Sequence, residues 1–176
     1  CGYVALNPLL ADASAFDPAE LAVHNRLYVL DLSAAPELLW ARLSQNRRRQ
    51  LRNREAAALE HDRRRLARFL ADNYADFFAS RGAGPATDFR PETVDAIAEL
   101  DDVLLVGAGD GELESVAAFG YTAHAGDYLL AVSRPGGERH SARLVWWGVE
   151  RLRELGVPYL NLGGGIREGD DVAEFK

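Results

Sequence analysis

Methionine is absent from the 176 residues, and cysteine and lysine occur once each. A single cysteine excludes an internal disulfide and a four-cysteine zinc site. No apolar run approaches the ~18 residues of a membrane-spanning helix. No G-x-S-x-G, Walker-type or G-x-G-x-x-G pattern is present, so neither a nucleophile elbow nor a phosphate-binding glycine loop of those kinds is expected. Histidines 24, 61, 124 and 140 share no ligand spacing, which argues against a metal site. Cys1 has no base near it in sequence, which argues against a thiol nucleophile. Without methionine, residue 1 is not an initiator, and the expectation is a trimmed domain. Cys1 also permits a lipid-modified mature N-terminus as a lesser reading.

What is present is ordinary for a globular domain: 48% apolar and 27% charged residues. The net charge of −7 excludes a general polyanion binder. The charge is nevertheless uneven. Residues 47–68 hold nine arginines against Glu55, Glu60 and Asp62, a local net of +6, so the remainder carries −13. Such asymmetry marks a candidate surface for an anionic partner. Arginine's planar fork suits phosphate and carboxylate. The plain alternative is a solvated helix face.

The periodicity predicts a strand at Leu27–Leu32, then one helix from Pro36 to about Ala57 with Ser33 as its cap. Leu66, Phe69, Leu70, Tyr74 and Phe77 make one stripe of a second helix, Asp62–Ser80. A third begins near Pro91, shortly after the cap-type residues Thr87 and Asp88. Strands follow at Val103–Val106, Leu113–Tyr121 and Tyr128–Ser133, joined by short turns as a meander. A helix at Arg139–Leu155 ends at Gly156, and Pro158–Leu162 is the last strand. The helix between the last two strands requires them to be parallel. The expected fold is α/β: a mixed sheet with a β-β-β-α-β core (101–176), preceded by a partial N-terminal segment with arginine-rich helices (1–100).

Three constellations could carry chemistry. Gly163-Gly164-Gly165 directly follow a buried strand and Asn161, leaving backbone amides unshielded for a phosphate, a carbonyl or an extended chain. Ser133 and Arg134 open a glycine-containing loop before a helix N-terminus, a position that favours anions. The tail places Phe175 and Lys176 after Asp170 and Asp171. A lysine there could stabilise an oxyanion, although taken alone a terminal lysine reads as a solubility residue.

The order of these elements resembles the core of the GNAT superfamily of N-acyltransferases, and more narrowly its FemAB-like branch. Asn46–Arg54 (NRRRQLRNR) is similar to that branch's arginine-rich helix, with Arg48, Arg49 and Arg52 at the matching places. Asn73–Phe78 with Arg81-Gly82 is similar to its next helix and brings in Tyr74. Leu162–Gly165, then Asp170 or Asp171, then Phe175-Lys176 resembles its C-terminal signature. The resemblance implies a cytoplasmic, metal-independent enzyme. Such an enzyme transfers an aminoacyl or acyl group from aminoacyl-tRNA or acyl-CoA to an amine, with no resident cofactor. The implied acceptor is a small molecule or peptidoglycan precursor; tRNA is the implied donor carrier, and neither DNA nor a membrane span is expected. Phe175 and Lys176 would be catalytic. Arg48, Arg49, Arg52, Tyr74, Arg81, Ser133, Arg134, Asn161, Gly163, Gly164, Gly165 and Asp171 would bind substrate. The acyl-CoA branch uses Arg/Gln-x-x-Gly-x-Gly/Ala; Arg134–Arg139 matches its first arginine and glycine and departs at the last position. The competing expectation is a GNAT-like binding module for an anionic peptide or RNA, held through residues 47–68.

Overall fold

A computed structural model describes residues 12–22, 27–52, 58–82 and 89–164. Its six strands are β1 (Val29–Asp31), β2 (Leu59–Glu60), β3 (Val103–Ala108), β4 (Ser115–Tyr121), β5 (Gly126–Ser133) and β6 (Tyr159–Asn161). They form one sheet in the order β1-β6-β5-β4-β3-β2. The expected meander is β3-β4-β5, with antiparallel pairing from Val103↔Gly120 to Ala108↔Ser115 and from Ser115↔Ser133 to Tyr121↔Gly126. β5 and β6 are parallel, as the intervening helix requires. Both edge strands come from the first hundred residues. β2 was not expected, because a two-residue strand leaves no periodic signal.

The helices are α1 (Pro36–Arg42), α2 (Gln45–Arg52), α3 (Arg63–Ser80), α4 (Pro91–Glu99) and α5 (Ser141–Glu154). The single helix expected over 36–57 is two helices. Leu43 is extended at ψ 142°, and the Ser44 hydroxyl accepts the Arg47 amide at 3.2 Å. Serine's side chain satisfies an amide that a new helix leaves orphaned, so it starts one helix rather than continuing another. Ser33 is not the cap of α1. Its amide and hydroxyl both donate to the Asp31 carboxylate (3.0 and 2.6 Å), closing a local turn. α5 starts at Ser141, after a 3-10 turn over Gly137–His140. Asp62 does cap α3, accepting from the amides of Arg64 and Arg65.

The sheet is buried on both faces. Leu32, Leu39, Phe119, Leu144, Val149, Leu152, Leu160 and Leu162 make one core under α1 and α5. Leu66, Phe69, Leu70, Tyr74, Val94, Val116, Leu130 and Val132 make the other under α3 and α4. Along β4 the alternation Val116, Ala117, Ala118, Phe119 divides the strand between the two cores. Arg153, near the end of α5, donates to the carbonyls of Leu32 and Ala34 and ties that helix to the β1–α1 connection. Arg63 does the same at the start of α3, donating to the carbonyls of Val103 and Leu100.

Candidate functional site

The parallel pair opens almost as soon as it forms. β5 and β6 are in register only at Gly126↔Leu160 and Asp127↔Asn161. Beyond them β5 continues along β4 as far as Ser133. The chain leaving β6 instead stays with the other edge. Leu162 donates its amide to the Tyr28 carbonyl at 2.8 Å, and Tyr28 returns a bond to the Gly163 carbonyl at 3.1 Å. The two strands are thus held by different neighbours and diverge. From Tyr128 to Ser133, the edge of β5 that faces β6 has no strand partner among the described residues. Free amides and carbonyls on such an edge can take an extended ligand.

Asn161 holds the apex of this opening. Its Nδ2 donates to Asp127 Oδ1 at 2.8 Å, and its Oδ1 accepts the Gly163 amide at 2.9 Å. One side chain therefore links the last paired residue of β5 to the glycine strip. Gly163 has φ +73°, a left-handed conformation that glycine adopts without a Cβ penalty. Gly164 is buried. Tyr128, the first residue of β5 past the pair, packs its ring 5.3 Å from Phe119. Burial pushes its phenol well above the ordinary tyrosine range, so its hydroxyl stays protonated. Asp127 and Tyr128 were not singled out from the sequence, because only the register brings them to the apex.

The loop after β5 is closed by carboxylates. Ser133 is buried, and its hydroxyl lies 2.7 Å from that of Ser115. The Arg134 guanidinium lies over the Phe69 ring at 5.3 Å, donates to Asn73 at 3.3 Å and sits 3.8 Å from Glu112. Arg139 pairs with Asp110 at 2.9 Å and with Glu114 at 2.7 Å. His140 Nε2 meets the same Glu114 carboxylate at 2.9 Å. The hydrogen bonds from His140 and Arg139 hold the Glu114 carboxyl below the usual carboxylate range.

The remaining expected residues fall in four groups. Arg48, Arg49 and Arg52 lie together on the single helix α2 with Gln45 and Asn46. Tyr74 lies in the α3–α4 core, 3% exposed and stacked 4.4 Å from Phe78, so it is a packing residue with little surface to offer a ligand. Arg81 sits over the Phe77 ring at 3.7 Å and 3.4 Å from Glu138. Gly165, Asp171, Phe175 and Lys176 lie outside the described residues.

A crystal structure of FemX shares this fold. That crystal structure superposes at a TM-score of 0.62 with 13% identity, over 82% of this chain and 54% of FemX. The fold is that of FemX. It is the mixed α/β sheet with a β-β-β-α-β core expected from the order of elements. Two further solved structures share the FemX-like fold. One is a conserved protein of unknown function from Bacteroides thetaiotaomicron (TM-score 0.62, 12% identity, 86% of this chain and 53% of that one). The other is the C-terminal domain of a protein described as a lysylphosphatidylglycerol synthetase from Agrobacterium fabrum (TM-score 0.52, 17% identity, 80% and 47%). The chain spans about half the length of each. No protein-family model and no curated protein matches the sequence.

Proposed function

We propose that this chain is a transferase module that moves an activated acyl group, preferentially an aminoacyl ester, onto an amine. The observation that carries the reading is the opening between β5 and β6. A free strand edge faces a glycine strip there, with Asn161 joining the two. In this reading the ester lies along the β5 edge, with its carbonyl beside the glycine strip that Asn161 holds in place. The amine attacks that carbonyl directly. The C–N bond forms, the C–O bond breaks, and the departing hydroxyl takes up the proton the amine loses. Lys176, which follows Phe175 in sequence, would stabilise the negative charge on the carbonyl oxygen; Gly165 and Asp171 would bind substrate, as the resemblance implies.

The carboxylate-closed loop after β5 supports an aminoacyl-tRNA donor over acyl-CoA. A diphosphate entering there would have to displace Glu112, Glu114 and Asp110 from Arg134 and Arg139. The cations of this loop are thus already answered by carboxylates. The acceptor class implied by the resemblance is a small-molecule or peptidoglycan-precursor amine.

The test is transfer of a labelled amino acid from charged tRNA to a peptidoglycan-precursor amine, with titration of acetyl-CoA alongside. Transfer that falls at least about a hundredfold in Lys176→Ala, with no saturable acetyl-CoA binding, supports the proposal. Saturable one-to-one acetyl-CoA binding overturns the donor preference. A second reading, a binding module for an anionic peptide or RNA, is favoured by the clustering of Arg48, Arg49 and Arg52 on α2. It requires tight, salt-sensitive binding that Lys176→Ala leaves unchanged.

A further inference from the structure

The two ends of the strand opening treat their carboxylates differently. In the loop after β5, Asp110 and Glu114 pair with Arg139, and Glu112 with Arg134. At the apex, Asp127 has no such answer. It is the last residue of β5 paired to β6. Its cross-strand neighbours are Gly120 on β4 and Asn161 on β6, and neither carries a charge. Its carboxylate has one hydrogen bond among the described residues, from the neutral Asn161 carboxamide to Oδ1. Oδ2 has no partner there, and the residue is half-buried. A carboxylate partly withdrawn from water and without a cation favours a cation that a ligand brings.

The same Asn161 side chain reaches the Gly163 amide. One carboxamide therefore spans the gap between the Asp127 carboxylate and the glycine strip. An α-aminoacyl group suits that spacing, because its ammonium is one carbon away from its carbonyl. A plain acyl group offers Asp127 no cation. We propose that Asp127 determines donor specificity, its carboxylate holding the α-ammonium of an aminoacyl ester while the ester carbonyl lies beside the glycine strip. This assignment rests on the transfer reading above, and it supplies a chemical reason for an aminoacyl over a plain acyl donor. A neighbouring carboxylate also favours the protonated form of an amine, which keeps the donor's own nitrogen from acting as the nucleophile.

The experiment uses the full chain and bulk tRNA charged with labelled amino acids, either unmodified or N-acetylated so that the α-nitrogen is neutral. Transfer to a peptidoglycan-precursor amine and filter binding are measured for both donors. The wild type should use the unmodified donor at least about tenfold better in kcat/KM and bind it correspondingly tighter. Asp127→Asn removes the charge and keeps an oxygen for Asn161 to bond. It should lose most of that preference by weakening the unmodified donor alone, and Asp127→Glu should retain part of it. Equal use of the two donors by the wild type, a comparison that needs no variant, overturns the proposal and leaves the transfer reading standing. So does a preference that survives intact in Asp127→Asn. Transfer from neither donor overturns the transfer reading, and binding then decides the proposal. Tighter capture of the unmodified charged tRNA, lost in Asp127→Asn, upholds the ammonium site; equal capture of the two overturns it.

Discussion

Gly148 of α5 lies against the ring of Phe119 on β4 so closely that a Cβ at residue 148 would stand 2.4 Å from the ring's Cζ. The ring is fully buried and has nowhere to retreat. The helix that joins the splayed strands can approach the sheet this closely only because residue 148 has no side chain. Gly148→Ala should therefore destabilise the fold by about 1–3 kcal/mol, the usual cost of overpacking, despite alanine's better helix propensity. Urea unfolding measures it. Phe119→Leu in the same chain should recover part of the loss as a negative coupling energy; an additive pair would mean the contact is not the cause.

Glu114 links two segments, accepting from both Arg139 and His140. Its folded-state pKa is lowered, so between the folded and unfolded values the unfolded chain binds more protons and stability rises with pH. The stabilisation is complete above the ordinary glutamate value of about 4.3. It is lost as pH falls from there through the folded value. Glu114→Gln should lower the melting temperature at neutral pH and flatten its acid dependence. Equal acid slopes in wild type and variant would contradict this.

Asn161 bridges Asp127 and Gly163. Asn161→Ala removes both bonds at the half-buried apex, with an expected cost of about 1–3 kcal/mol. Under the proposed transfer reaction, kcat should fall by more than the loss of folded protein explains, because the glycine strip loses its fixed position. Gly163→Ala tests the same strip through its backbone. At φ +73° a Cβ costs roughly 1–2 kcal/mol, and transfer should again fall beyond the stability loss. Activity tracking folded fraction in both variants would remove the strip from the reaction.

The α2 arginines give a measurable electrostatic signature. If Arg48, Arg49 and Arg52 contact a nucleic-acid backbone, replacing all three with glutamine should reduce the slope of log affinity against log salt by roughly two to three. Filter binding of tRNA between low and moderate salt reads this directly. An unchanged slope would assign the cluster to a solvated helix face.

Much of the fold was legible because its signals are local. The stripe Leu66, Phe69, Leu70 and Tyr74 specifies α3 by its 3.6-residue period. The short turns between β3, β4 and β5 leave a meander as the simplest pairing. The helix between β5 and β6 dictates that they are parallel. The break between α1 and α2 was not legible, because the apolar and arginine pattern runs on through Leu43 and Ser44. Only the backbone reveals that the Ser44 hydroxyl has taken an amide for itself.

Asn161 and the glycines after it could be chosen from the sequence, since three glycines following a strand exceed what a turn needs. Asp127 and Tyr128 could not, because their proximity to that strip depends on a parallel register between segments more than thirty residues apart. Arg134 could be read as an anion-binding cation, yet the β3–β4 turn brings Glu112 to it, and no pattern in the chain announces that approach. Composition and period thus specified which segments become helices and strands, because those preferences are settled between near neighbours. Which residues meet at the strand opening, and which cations are already answered, were decided by packing, because those distances exist only once the layers close on one another.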